Sequence, residues 1–280
     1  MEFKSTMHEQ YAKSLLYRWY IFYERERTEQ TLDNQLSILD HDFKVKRDGE
    51  VLNKEQYIHY ENQRPLNQKN AHSVQKITFT QVEENKSSLV ADIIYQNENK
   101  EGKVTSYKVH YDTILILKED KWYFSEIKIG SIEMMNHMSE FKDTYAENRV
   151  KSLIHYYLSL MEKLDGDASP FQDIFYKDFY MKVPSTDDPI TNIDQFESWL
   201  SISKNIKVST HLVENLVIKS LHSNEYHVTM DFNWQALTKS DKMLKTKSHQ
   251  EWEIVDTNET FPRLKKIIIS GIKPLNELQR

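Results

Sequence analysis

The chain opens with MEFKSTMHEQYAKSLL (1–16), and residues 139–154 read SEFKDTYAENRVKSLI. Setting Glu2 against Glu140 makes Glu2/Glu140, Phe3/Phe141, Lys4/Lys142, Thr6/Thr144, Glu9/Glu147, Lys13/Lys151, Ser14/Ser152 and Leu15/Leu153 identical. Agreement this dense marks a duplication, and a duplication continues at a nearly constant offset, breaking where loops absorb insertions. His41-Asp-Phe43 meets Lys177-Asp-Phe179, Gln56-Tyr57 meets Gln195-Phe196, Ala71-His72 meets Thr210-His211, and Asp92-Ile-Ile-Tyr-Gln96 meets Asp231-Phe-Asn-Trp-Gln235. Farther on, His110-Tyr-Asp112 meets His249-Gln-Glu251 and Gly130 meets Gly271. The reading predicts two domains, 1–138 and 139–280.

Each copy has the same order of patterns. From Val150, the apolar positions Leu153, Ile154, Tyr157, Leu160, Met161 and Leu164 recur at the three- and four-residue spacing of a helix that buries one stripe; copy one repeats this with Leu15, Leu16, Trp19, Phe22 and Tyr23. Short helices are expected near 31–39 and 169–176, then a strand and turn, then a further helix. That helix has start signals in Asn53 with Gln56 and in Thr191 with Asp194, where the first side chain can accept from a free backbone N–H. Four strands follow at about 72–82, 87–97, 104–118 and 121–131, with counterparts at 211–220, 225–235, 246–256 and 263–273. In YHVTMDFNWQ (226–235), Val228, Met230, Phe232 and Trp234 alternate with polar residues, so one sheet face is buried. The fold class is therefore α+β: in each domain, helices cover one face of a curved, mostly antiparallel sheet. Glu140 to Leu164 reads as one long helix, which would make the linker short and helical.

Composition removes several function classes. Of 280 residues, 37 are Lys or Arg and 43 are Asp or Glu, a net charge of -6, so a nucleic-acid partner is not expected. There is no cysteine, which excludes disulfides and thiolate chemistry and fits a reducing compartment. No apolar run reaches the roughly 20 residues of a spanning helix, so no membrane is expected and the chain reads as cytoplasmic. No Gly-rich phosphate loop, metal motif or nucleophile elbow occurs, and no cofactor is expected.

Several segments carry a resemblance. Tyr157-Leu-Ser-Leu-Met-Glu-Lys-Leu-Asp165, leading to Phe175-Tyr-Lys-Asp-Phe179, His211-Leu-Val-Glu-Asn215 and Lys121-Trp-Tyr-Phe124 together resemble the SnoaL-like members of the nuclear transport factor 2-like superfamily. The resemblance implies a cone-shaped α+β fold, here present twice as an intrachain pseudo-dimer, with a cavity between the concave sheet face and the long first helix. Members include polyketide cyclases, ketosteroid isomerases and dehydratases as well as proteins that only bind. A monomer with a pseudo-dimer interface is expected, with higher oligomers left open.

The resemblance brings His72 and His211 toward that cavity. By alternation alone, His211 shares the parity of Asn215, opposite Leu216 and Ile218, and faces away from the helices unless a bulge intervenes. Dehydratase- and cyclase-type members pair such a histidine with a carboxylate. The helix stripes hold Tyr157, Leu160 and Met161, or Trp19, Phe22 and Tyr23, with no acid among them, and Glu24 and Glu162 fall far round the helix, where solvation is expected. The duplicated Asp92/His110 and Asp231/His249 are assigned by parity to the outer face. The first expectation is thus a noncatalytic protein binding an apolar or aromatic small molecule, or a protein partner. Its candidate ligand residues are Tyr157, Met161, Phe196, His211, Trp234 and Trp252 in copy two and Trp19, Tyr23, His72 and Tyr95 in copy one. The alternative is an isomerase, dehydratase or cyclase using His211 as acid or base.

Overall fold

The computed structural model describes residues 5–47, 49–63, 69–135 and 140–274. In the first repeat, helices α1 (Met7–Tyr23) and α2 (Glu29–Leu36) precede strands β1 (Leu39–Arg47) and β2 (Glu50–Asn53), helix α3 (Lys54–Asn62), and four strands. These are β3 (Lys69–Glu83), β4 (Lys86–Glu98), β5 (Val104–Lys118) and β6 (Lys121–Met134). The second repeat follows the same order, with α4 (Tyr145–Met161), a 3-10 turn at Ser169–Asp173, β7 (Phe175–Lys182), α5 (Ile193–Leu200), β8 (Ile206–His222), β9 (Glu225–Thr238), β10 (Met243–Val255) and β11 (Arg263–Pro274).

Two sheets result, ordered β2-β1-β6-β5-β4-β3 and β7-β11-β10-β9-β8. All described pairings are antiparallel except β1 with β6 and β7 with β11, which run parallel. This is the α+β architecture expected, built twice. By compactness the chain divides into one unit of Ala12–Asn148 and another of Met1–Tyr11 with Arg149–Arg280. The start of each repeat's first helix is thus grouped with the body of the other repeat. The boundary drawn from sequence at 138/139 lies outside the described residues.

The helices form where one stripe can be buried. In α1, Ala12, Leu15, Leu16, Trp19, Tyr20 and Phe22 are buried, and in α4 Val150, Leu153, Ile154, Tyr157 and Leu158 are. Each full burial of such a side chain is worth about 1.5–3 kcal/mol. The stripe lies slightly round the helix from the one predicted, since Tyr23, Leu160, Met161 and Leu164 are only half-buried. Residues 141–144 are not helical, so α4 begins later than the sequence suggested, and no helix runs from Glu140. The expected cap at Asn53 is present as a full capping box with Gln56. In the second copy the cap is Asn192, whose side chain accepts from the Gln195 N–H, in place of the predicted Thr191. Thr191 instead donates its own N–H to the Gln195 side chain.

The buried face of β9 is the predicted one: Val228, Met230 and Phe232 are buried, while Trp234 is half-buried. Buried Arg149 forms a bidentate ion pair with Asp256 in the same unit, at 2.6 and 3.1 Å. No described helix is long and apolar enough to cross a membrane.

Candidate functional site

A β-bulge decides which way the two histidines face. In β3 the pairing with β4 slips between Val74 and Lys76, and in β8 the pairing with β9 slips between Glu214 and Val217. One extra residue reverses the side-chain parity beyond it. Ahead of the slip His211 pairs with inward Trp234, and His72 pairs with Tyr95; beyond it the half-buried residues are Leu216 and Ile218, or Ile77 and Phe79. His211 therefore faces inward, and the outward direction expected from unbroken alternation fails because the bulge lies between His211 and Leu216. The bulge includes Asn215, whose φ of 53° lies in the left-handed region that asparagine tolerates better than most residues.

Each inward histidine meets an acid that sequence reasoning had assigned to solvent. Glu24 follows the last turn of α1 and Glu162 the last turn of α4, and both carboxylate side chains are fully shielded from solvent. In the unit of Ala12–Asn148, Glu24 Oε1 accepts from His72 Nδ1 at 3.1 Å, the His72 backbone N–H at 2.8 Å, Thr144 Oγ1 at 2.7 Å and Asn148 Nδ2 at 2.8 Å. Asn148 Nδ2 also donates to the His72 carbonyl, and Glu24 Oε2 is buried without a partner among the described residues.

In the other unit, Glu162 Oε1 accepts from His211 Nδ1 at 3.1 Å and from its backbone N–H at 2.8 Å, while Oε2 accepts from Thr6 Oγ1 at 2.7 Å. Gln10 donates to the His211 carbonyl at 2.9 Å, and its Oε1 lies 2.7 Å from His155 Nδ1. The equivalences Glu24/Glu162, His72/His211, Thr6/Thr144 and Gln10/Asn148 all follow the repeat offset.

A helix C-terminus disfavours a carboxylate, by about 0.3–1 kcal/mol even at an exposed site. Its recurrence there in both copies is the available sequence signal; the expectation of solvation rests instead on its position far round the helix from the apolar stripe. An ionised carboxylate only accepts, so it fixes the proton on Nδ1 and leaves the Nε2 lone pair as the basic atom. Nε2 has no hydrogen bond among the described residues in either ring.

Some of the predicted ligand residues contact these rings directly, and others connect to them only through intermediate rings. His72 stacks on Tyr20 at 4.9 Å between centroids, with Tyr95 at 5.2 Å and Tyr23 at 5.9 Å; Tyr23 in turn meets Trp19 at 5.3 Å. In the second copy His211 lies edge-on to Phe232, Phe232 to Trp252, and Trp252 to Tyr157. Tyr157 then meets Phe171, which contacts Phe196, so Phe196 joins the cluster through an intermediary that the sequence reading had not named. Tyr157, Phe196 and Trp252 are buried, whereas Met161 and Trp234 are half-buried. Burial pushes the Tyr20 and Tyr157 phenols well above their ordinary range, so near neutrality both stay protonated.

The outer-face pairs lie where parity assigned them. His110 Nδ1 is 2.7 Å from Asp92 and His249 Nδ1 is 2.9 Å from Asp231, with both imidazoles substantially exposed. Among the described residues no group of three or more His, Asp or Glu side chains is arranged to hold a metal ion.

No protein-family profile matches the chain, and no curated protein matches it. Among solved structures, the chain is similar to a nuclear transport factor 2-like superfamily protein from Salmonella enterica, at 14% identity and a TM-score of 0.41, over 46% of this chain and 93% of the other. It is also similar to hexachlorocyclohexane dehydrochlorinase LinA-type3 from Novosphingobium barchaimii, at 13% identity and a TM-score of 0.41, over 48% and 94%. A third is the Kfla4162 protein from Kribbella flavida, at 11% identity and a TM-score of 0.41, over 50% and 100%.

Proposed function

We propose that the protein carries out proton transfer on a small, largely apolar organic molecule, as an isomerase, dehydratase or cyclase does, with His211 as the acid–base group and Glu162 holding its tautomer. The observation that carries this reading is the shielded Glu162 carboxylate on His211 Nδ1. Simple binding is the first expectation where the helix stripe offers the histidine no acid; Glu24 and Glu162 each supply one. A buried carboxylate steadies the imidazolium formed when Nε2 takes a proton, and a positioned base of this kind contributes about 10²- to 10⁴-fold to a rate. His211 is the better candidate of the two, since His72 is buried under Tyr20. Lack of cysteine supports a reducing, cytoplasmic setting as part of the same proposal.

Noncatalytic binding is the second reading, favoured by one observation: Met161 and Trp234 are only half-buried and leave apolar surface for a ligand, whereas fully buried Trp252 and Phe196 read as plain aromatic core. Incubating the full chain in D₂O with a panel of small ketones and β-hydroxy ketones separates the two. Deuterium incorporation or water loss is expected with the wild type, falling by about 10²- to 10⁴-fold in His211→Ala while the fold is kept. A compound that binds with unchanged chemistry, or turnover equal in wild type and His211→Ala, overturns the catalytic reading.

A further inference from the structure

Both carboxylate–histidine pairs receive donors from a segment distant in sequence. Thr6 and Gln10 open the first repeat, yet Thr6 Oγ1 donates to Glu162 and Gln10 Nε2 to the carbonyl of His211. Thr144 and Asn148 open the second repeat, and they donate to Glu24 and to the carbonyl of His72. The sequence separations run from 76 to 201 residues. The four side chains occupy equivalent positions in the two copies, a hydroxyl followed one helical turn later by a carboxamide. Such a hydroxyl–carboxamide pair can fix both ends of a carboxylate–imidazole arrangement: the hydroxyl engages the carboxylate, and the amide engages the histidine backbone.

We propose that Thr6 and Gln10 are positioning residues for Glu162 and His211, and Thr144 and Asn148 for Glu24 and His72, so that each pair is set by the opening segment of the other repeat. This rests on the reading of the two histidines as site residues. Without Thr6, Glu162 Oε2 loses its hydrogen-bond partner in a buried position, and the carboxylate rotates or shifts to recover one. That movement acts directly on the Nδ1–H bond of His211. Without Thr144, Glu24 loses one of four donors and the His72 N–H loses its second acceptor.

The test follows the imidazole Nδ1–H proton signals of His72 and His211 by nitrogen-15 NMR in the intact chain, with Thr6→Val, Thr144→Val and the conservative Thr6→Ser and Thr144→Ser. No substrate is needed, so the result stands apart from whether a reaction is ever found. Thr6→Val is expected to shift the His211 signal and speed its exchange with water about fivefold to tenfold, leaving His72 unchanged. Thr144→Val is expected to do the reverse, and each serine variant to restore the wild-type signal. If a valine variant fails to fold, the alanine variant at the same position is read in the same way. Signals that stay put, or that move together in both variants, overturn the proposal.

Discussion

Asp231 shows how one side chain senses several neighbours. Its carboxyl accepts from His249 at 2.9 Å and Asn215 at 2.7 Å, with Lys247 at 3.2 Å, and it is held down to about 2, first by the His249 hydrogen bond and then by Asn215. Desolvation opposes these bonds and is outweighed. A carboxyl whose folded value lies below its ordinary 3.8 adds stability that is complete above that value and is lost as pH falls through the folded one. The difference in thermal midpoint between wild type and Asp231→Asn should therefore be largest near neutrality and close between about pH 4 and about pH 2. A difference that stays constant over that range argues against the assignment. The pairing itself was legible, since Asp231 and His249 are direct cross-strand partners on the face that alternation marked as outer.

Among the elements, β8 carries the most consequence. Its bulge aims His211 at Glu162 upstream and keeps Leu216 and Ile218 facing inward downstream. Asn215 sits there with φ of 53°, and its side chain also bonds Asp231. Replacing it with glycine or with valine removes that bond in both cases, but only valine adds backbone strain, about 1–3 kcal/mol for a branched residue held in the left-handed region. Chemical denaturation should accordingly find Asn215→Val less stable than Asn215→Gly by that margin. Equal stability of the two would show that the bulge does not need a left-handed residue. Alternation within an unbroken strand was readable, as the burial of Val228, Met230 and Phe232 shows. A bulge leaves no mark in the pattern that distinguishes it from a polar face.

For the molecule as a whole, the opening segment matters most. Met1–Tyr11 is grouped with Arg149–Arg280 and provides Thr6 and Gln10 to buried partners there. Removing those eleven residues would strip Glu162 Oε2 and the His211 carbonyl of donors, at about 1–3 kcal/mol for each buried group left unsatisfied. Hydrogen exchange should then rise first at 155–164 and 206–214, with β10 and β11 protected. Uniform loss of protection across 149–274, or none, would contradict this reading of the segment.

Duplication, element order and the buried faces of unbroken strands were determined by the sequence alone, because each rests on local periodicity or on one copy matching the other. Trp19 and Tyr157 are buried where a helical repeat puts them, and the Asn53 capping box forms between residues three apart. The acid beside each histidine was decided only in the folded chain. Glu24 and His72 are 48 residues apart and Glu162 and His211 49 apart, and their further donors lie as far away as Gln10, 201 residues from His211. A carboxylate at a helix end is predicted to seek water unless something brings donors to it. Here a bulge, a returning strand and a helix start from the other repeat bring them, and none of these is encoded near the carboxylate itself.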